Sequence, residues 1–459
     1  MKVKKLAPNF ILCSLLTMTV LPAVGGDETS ATPASAANWP QFRGAFARGV
    51  ADGALPAEWD AASGKNIKWK TPIPGLGLSS PIVWGNRVFV TTCISGKDDS
   101  ELRVGLYGNI APVEDDTVHQ WGVYCLDKDT GKVLWEQTAH EGAPAVKRHT
   151  KSSHANSTPA TDGTHVVAFF GSEGLYCYSM AGKQLWKKDF GVLDAGYYKV
   201  PEAQWEYASS PIIHQGKVIV QCDVQGDSFV AALDVKTGKE IWRKKRDEVP
   251  TWSTPTVHED ADRKQVIFNG YRHIGGYDLE SGKELWWMEG GGDIPVPTPI
   301  VAHDLIYITN AHGGAAPLYA IHPTATGSIT LEENTLTNQH IAWSYARRGT
   351  YMQTPIVYGD HLYACRDNGV MTCFDAKKGT VLKSVRLGSG RTGFTASPVA
   401  GDDKVFFSSE EGDIYVISAG SKPRLIAVNK MNEVCMATPA ISDGALIIRT
   451  QHHLFCIQQ

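Results

Sequence analysis

Residues 230–242 read Val-Ala-Ala-Leu-Asp-Val-Lys-Thr-Gly-Lys-Glu-Ile-Trp, and Thr254-Pro255 follows a short way on. An apolar run ending in Asp, a Thr-Gly-Lys turn and a second run ending in Trp describe two short antiparallel strands. Asp accepts hydrogen bonds inside the turn, Gly supplies a positive φ, and Trp offers a broad flat surface to an adjoining unit. Proline can open the strand that follows, because a first residue needs no ladder donor.

The same pattern recurs along the chain. Ser/Thr-Pro pairs stand at Ser80-Pro81, Thr158-Pro159, Ser210-Pro211, Thr254-Pro255, Thr298-Pro299, Thr354-Pro355, Ser397-Pro398 and Thr438-Pro439, with successive prolines 78, 52, 44, 44, 56, 43 and 41 residues apart. A bare period of 41–44 residues suits a four-stranded propeller blade, and the longer gaps hold insertions. Trp69, Trp135, Trp186, Trp242, Trp286 and Trp343 close fourth strands and are expected to dock blades together. The last two units lack this Trp, with Ser384 and Ala427 near its place. Trp69 belongs to a fourth-type strand, residues 66–70, with no first three before it, and the C-terminal unit ends at its third strand, residues 454–457. The expected fold is all-β: an eight-bladed β-propeller over 63–459 whose last blade is closed by an N-terminal strand, removing the open edge.

Composition agrees with a large packed body: 459 residues, 42% hydrophobic and 20% charged. Net charge is −4 and no basic run occurs, which argues against a nucleic-acid partner. Lys2, Lys4 and Lys5 precede an apolar stretch, Phe10 to Val24, and then small residues, the layout of a secretory signal peptide rather than a span. Cleavage fits after Gly25 or after Ala36, leaving an N-terminal extension to residue 62. No lipobox surrounds Cys13, so a periplasmic or secreted protein without a transmembrane span in the mature chain is expected.

Insertions at 95–120, 136–157 and 187–209 fall on the face where inner strands begin, and a cluster of long loops at one mouth of a rigid ring is where a ligand or partner binds. Candidate binding residues there are Arg148, His149, His154, Asn156, Trp205, Glu206, Tyr207, Trp252, His273, Tyr351, Arg391 and Phe394, joined by Met352, His312 and Arg366. Stacking and Arg/His pairing suit a small planar or anionic ligand; the competing reading is that they cap the channel and satisfy turns. His149 and His154 with Glu206 or Asp194 have no recognised metal-ligand spacing, and no Asp/Asn-rich loop suits calcium. Cys125, Cys177, Cys373 and Cys456 share one third-strand position and Cys93, Cys222 and Cys365 end second strands, as small buried side chains would. Cys435 is expected in a loop at the mouth. No pairing of these eight can be derived. Asn156-Ser157-Thr158 matches a glycosylation sequon, but the strand start at Pro159 favours coincidence.

Asp-x-x-Thr/Ser-Gly-Lys-x-x-Trp closing a blade, with Ser/Thr-Pro opening the next, resembles the tryptophan-docking repeats of quinoprotein alcohol dehydrogenases and of the outer-membrane assembly factor BamB. The segment Trp39-Pro40-Gln41-Phe42-Arg43-Gly44 resembles one that precedes the propeller in secreted bacterial PQQ-like repeat proteins. The dehydrogenase likeness implies pyrroloquinoline quinone with Ca²⁺. Against that, no two cysteines are adjacent here, whereas the dehydrogenases set a vicinal Cys-Cys ring against the quinone, and neither their calcium ligands nor their catalytic Asp can be placed. No Gly-x-Ser-x-Gly nucleophile motif occurs either. The expectation is an exported, non-enzymatic binding or scaffold propeller without cofactor or catalytic residue, facing a protein or envelope partner or a ligand. The alternative is a PQQ- and Ca²⁺-dependent quinoprotein oxidoreductase.

Overall fold

Each repeat folds as its pattern requires. In the first, Ile82–Trp84, Arg87–Ser95, His119–Asp127 and Val133–Gly142 pair antiparallel in chain order, inner strand to outer. Six further sheets repeat this order, and the eighth consists of Ala440–Ser442, Ala445–Arg449, His453–Ile457 and, outermost, Ile67–Pro72. Lys70 faces Phe455 and Thr71 faces Leu454 in that closing pair. The protein is thus an eight-bladed β-propeller fastened by its N-terminal strand. This computed structural model describes residues 1, 38–97, 102–106 and 111–459; the signal-peptide reading and both cleavage positions lie outside them. Among the described residues the only helical turns are two 3-10 turns, Ala45–Ala47 and Gly171–Glu173.

Five tryptophans dock in one way. The indole N–H of Trp69 donates to Lys128 O at 2.7 Å, Trp135 to Met180 O, Trp186 to Val235 O, Trp242 to Leu279 O and Trp343 to Ala376 O. Each acceptor follows the last residue of the next blade's third strand. Each ring also lies on the turn glycine of that blade: a Cβ at Gly131 would stand 2.6 Å from Trp69 and one at Gly379 2.5 Å from Trp343.

Trp286 departs from the expectation. Its ring folds into its own blade over Gly276, where the other blades carry Cys, Ala or, in the seventh, Val416, and its N–H meets Gln265 Oε1 at 2.9 Å. Gln265 Nε2 then donates to Pro323 O at 2.8 Å, the carbonyl a docked Trp would have reached. The cause lies in the next blade, where the excursion at 322–341 replaces the Thr-Gly-Lys turn and lays Gly327–Ser328 parallel to Glu284–Met288 as a fifth strand. Register also corrects one position: Lys383, not Ser384, stands where sister blades have Trp, opposite Cys373.

The Ser/Thr-Pro pairs build a belt. The amide of Ser80 donates to Thr158 Oγ1, Thr158 to Ser210, Ser210 to Thr254, Thr298 to Thr354, Thr354 to Ser397, Ser397 to Thr438 and Thr438 back to Ser80, all at 2.9–3.1 Å. A residue before proline is held extended, which aims these groups around the ring. One link is missing: Thr298 Oγ1 is buried without a partner, so the belt breaks between the fourth and fifth blades.

The segment ahead of the closing strand, expected as an extension, plugs the channel. Trp39 exchanges two backbone hydrogen bonds with Val83, Pro40 O accepts from Thr161, Phe46 packs edge-on against His214, and Gly49 and Ala51 bond Ala400. Arg43 is fully buried and donates to Ala47 O, Pro398 O and Pro355 O at 3.2, 2.8 and 3.0 Å. The eight described cysteines are free and buried. Cys435 lies in the loop ahead of the eighth blade, next to cavity-lining Met436, and is itself buried in the core cluster of that blade.

Candidate functional site

The belt is the floor of a cavity of about 550 Å³ at the mouth where the inner strands begin. All eight belt residues line it, and Phe42 of the plug also reaches it. A through-channel is thereby made a pocket.

Two straps from the long insertions roof it. In the first, Gly105 N donates to Glu410 Oε2 at 2.7 Å, while Lys151 Nζ bonds Gly105 O at 3.0 Å and Glu410 Oε1 at 2.8 Å. Thr395 Oγ1 adds a 2.6 Å bond to the same buried carboxylate, so a loop of the first blade is tied to the seventh. The second strap is the hairpin Gly196–Tyr197 and Val200–Gln204. Its Tyr197 Oη donates to Asp293 Oδ2 at 3.0 Å, its Lys199 pairs with the same carboxylate, and His312 Nδ1 lies 2.7 Å from Oδ1. Asp293 is buried, which by itself would raise its pKa, yet these three partners hold it below the ordinary value.

The walls are mostly apolar and aromatic. Trp205 stacks on His149 with centroids 4.0 Å apart and planes at 16°, and Ser152 Oγ pins its carbonyl at 2.7 Å. Trp252 is fixed by its indole N–H on Glu206 O at 3.0 Å, and His312 stacks on Tyr351. Such rings, immobilised before any ligand arrives, bind flat molecules at low entropic cost.

Of the twelve candidates, His149, Asn156, Trp205, Trp252, Tyr351 and Phe394 line this cavity, with His312 and Met352. Asn156 is engaged in its own turn, accepting from Ser153 and donating to Ser152 and Tyr207 O. Arg148, His154, Glu206 and Tyr207 are buried behind the wall. Arg148 bonds the carbonyls of His149 and Ser152, and Tyr207 belongs to the third-blade core and bonds Gln221 O. His154 Nδ1 lies 2.5 Å from Glu206 Oε2. Burial pushes Glu206 up to about 8 and Glu173 up to about 7, and pulls His154 down to about 4. This makes an uncharged acid–imidazole pair under the wall. His273 sits away from the mouth, stacked on Trp287 beside Glu284, Arg391 is exposed outside the lining, and Arg366 is held by Arg347 O. Among the described residues no three His, Cys, Asp or Glu side chains gather as metal ligands.

Arg43, Lys151, Asp293 and Glu410 escaped the sequence reading. Lys151 lies in the 136–157 insertion, but nothing local marks a partner 259 residues away.

The family described as outer membrane protein assembly factor BamB matches residues 119–385 and 272–433. Polyvinylalcohol dehydrogenase of a Pseudomonas species is 24% identical over 194 residues, 39% of this chain but only 24% of that protein's length. BamB from Moraxella catarrhalis superposes with a TM-score of 0.53 at 13% identity, covering 80% of this chain and 98% of that one. A europium-containing methanol dehydrogenase superposes at 0.59 with 11% identity, covering 90% and 89%. At such identities the structural likeness speaks for fold. The family match spans well over half of the chain, which therefore belongs to the PQQ-like propeller family of the outer membrane assembly factor BamB.

Proposed function

We propose that this protein is an exported binding propeller whose site is the roofed mouth cavity and whose ligand is a small, flat, largely apolar molecule. The carrying observation is the combination of a blind cavity of about 550 Å³ with the ring faces of Trp205 and Trp252 fixed in its wall. A volume of this order suits a small organic ligand rather than a protein side chain. A protein or envelope partner would meet the outer surface of the two straps.

The donor set supports binding over quinone chemistry. A quinone with Ca²⁺ asks for several uncommitted oxygen ligands beside a planar slot. The carboxylates lining the cavity are Glu410 and Asp367, and Glu410 already accepts from Lys151, Thr395 and the Gly105 amide. The thiols of the described residues are all buried. These residues do not fit that pair.

Calorimetric titration of residues 37–459 with pyrroloquinoline quinone, with and without Ca²⁺, and with a panel of bicyclic aromatics tests the reading. Micromolar binding of aromatics, lost in Trp205→Ala and independent of Ca²⁺, is the expected result. A stoichiometric, Ca²⁺-dependent quinone isotherm would overturn it in favour of the oxidoreductase alternative.

A further inference from the structure

The blind end of the cavity carries a charge that nothing described in the protein neutralises. Arg43 has no exposed surface, and its three bonds all go to carbonyls, those of Ala47, Pro355 and Pro398. A guanidinium has five N–H donors, so two remain beyond these three. No described carboxylate pairs with it. Burial pulls its pKa down to about 9 and no neighbouring charge offsets the loss, yet this still leaves it a cation at neutral pH.

Its position is fixed by its partners. Pro355 and Pro398 directly follow Thr354 and Ser397, so the guanidinium lies one strand residue, about 3.3 Å along the strand, below the belt that floors the cavity. Thr354 Oγ1 and Ser397 Oγ each accept one backbone amide, which leaves their own O–H protons to point at an acceptor. Phe42, the preceding residue, already lies in the cavity floor. Cation and hydroxyls therefore converge on one side of the floor, beneath Tyr351 and Phe394. The coil that brings Arg43 there holds three non-glycine residues, Arg43, Phe46 and Ala47, at φ of 61°, 54° and 52°, a conformation a simple plug does not require.

We infer that the floor of the cavity beside Thr354 and Ser397 is an anion subsite, with Arg43 as its buried counter-charge, so that the ligand is an aromatic or alicyclic carboxylate bound acid end down. This rests on the ligand-binding reading above and narrows it. Arg43 does not touch the ligand; it is a positioning charge acting from one layer below. The hydroxyls of Thr354 and Ser397 make the direct contacts.

The test is the ratio of two affinities. 2-Naphthoate and 2-naphthamide have nearly the same shape and differ in charge, so a general loosening of the pocket weakens both alike and leaves their ratio unchanged. Calorimetry on the wild-type protein is expected to show naphthoate binding at least tenfold tighter. Arg43→Met should bring the ratio to about one, while Arg43→Lys, which keeps the charge, should preserve most of it. If Arg43→Met fails to fold, Ser397→Ala replaces it and should cut the ratio several-fold. Equal wild-type affinity for acid and amide overturns the anion subsite while leaving the ligand cavity standing. A ratio that survives both Arg43→Met and Ser397→Ala also overturns it. Binding of neither compound overturns the cavity reading and this inference with it.

Discussion

A tryptophan at the end of an outer strand can dock only where the neighbour offers a glycine and a bare carbonyl. Trp242 has both, Gly282 and Leu279 O, so Trp242→Ala leaves a cavity and an orphan carbonyl together. Its expected cost is about 3–5 kcal/mol in a denaturant titration. Trp286 has neither, and depends on Gln265 to carry its N–H to Pro323 O. Gln265→Leu strands a fully buried indole N–H and should cost about 1–3 kcal/mol, though it removes no aromatic surface. The buried Glu206, Glu173 and His154 give a third residue-scale prediction. Both acids keep their protons in the folded state up to about 8 and 7, whereas unfolded Glu releases them near 4.3. Stability from these two groups is therefore complete below about pH 4.3 and is lost as pH rises through 7 and 8. His154, depressed to about 4, works in the opposite direction between about 4 and 6.5. The net loss is therefore steepest just above pH 6.5. Thermal unfolding across pH 5.5–8.5 should show a falling midpoint that Glu206→Gln flattens.

At the scale of the element, what could be read in the sequence was whatever is local. The strand runs, the Thr-Gly-Lys turns and the Ser/Thr-Pro starts each fit within a few residues, so the blade count and the closing strand could be derived from spacing alone. The straps could not. Tyr197 and Lys199 meet Asp293 across more than ninety residues, and the long loops around them have no period to betray a partner. The plug was hidden for the same reason, since Arg43 finds its carbonyls 312 and 355 residues away. His273 and Arg391 fall outside the cavity lining because loop order assigns a face but not a radius: His273 stacks on Trp287 of an outer strand, and Arg391 is exposed. The hairpin strap makes its own prediction. Asp293→Asn weakens the ties to Lys199 and His312 without touching a blade, so amide exchange across 196–204 should accelerate at least tenfold while the global unfolding midpoint moves little. Unchanged exchange there would mean that contacts other than Asp293 hold the strap.

At the scale of the whole molecule, one chain segment performs two tasks in sequence. Residues 38–51 fill the channel and residues 67–72 close the ring, so the last blade and the floor of the cavity depend on the same stretch of chain. A chain beginning at Leu76 lacks both. It should expose the edge of His453–Ile457 and associate, giving no monodisperse monomer in light scattering, and a peptide spanning 38–74 should restore one.

The gap in the hydroxyl belt shows that this closed body is not fastened in one way all round. A ring without ends has no natural place to begin unravelling, and with eight equal joints any of them could part first. Here the joints are not equal: those after the sixth and seventh blades have Lys383 and Ala427 in place of the docking tryptophan, and the one between the fourth and fifth is built differently again. Between the fourth and fifth blades the belt has no link, the tryptophan stays at home, and the turn it would have covered has been replaced. The two blades are nonetheless tied by another route, since Gly327–Ser328 pairs with Trp286–Trp287 and both Gln265 and Arg263 reach Pro323 O, so the hoop changes its kind of rivet there without leaving a gap.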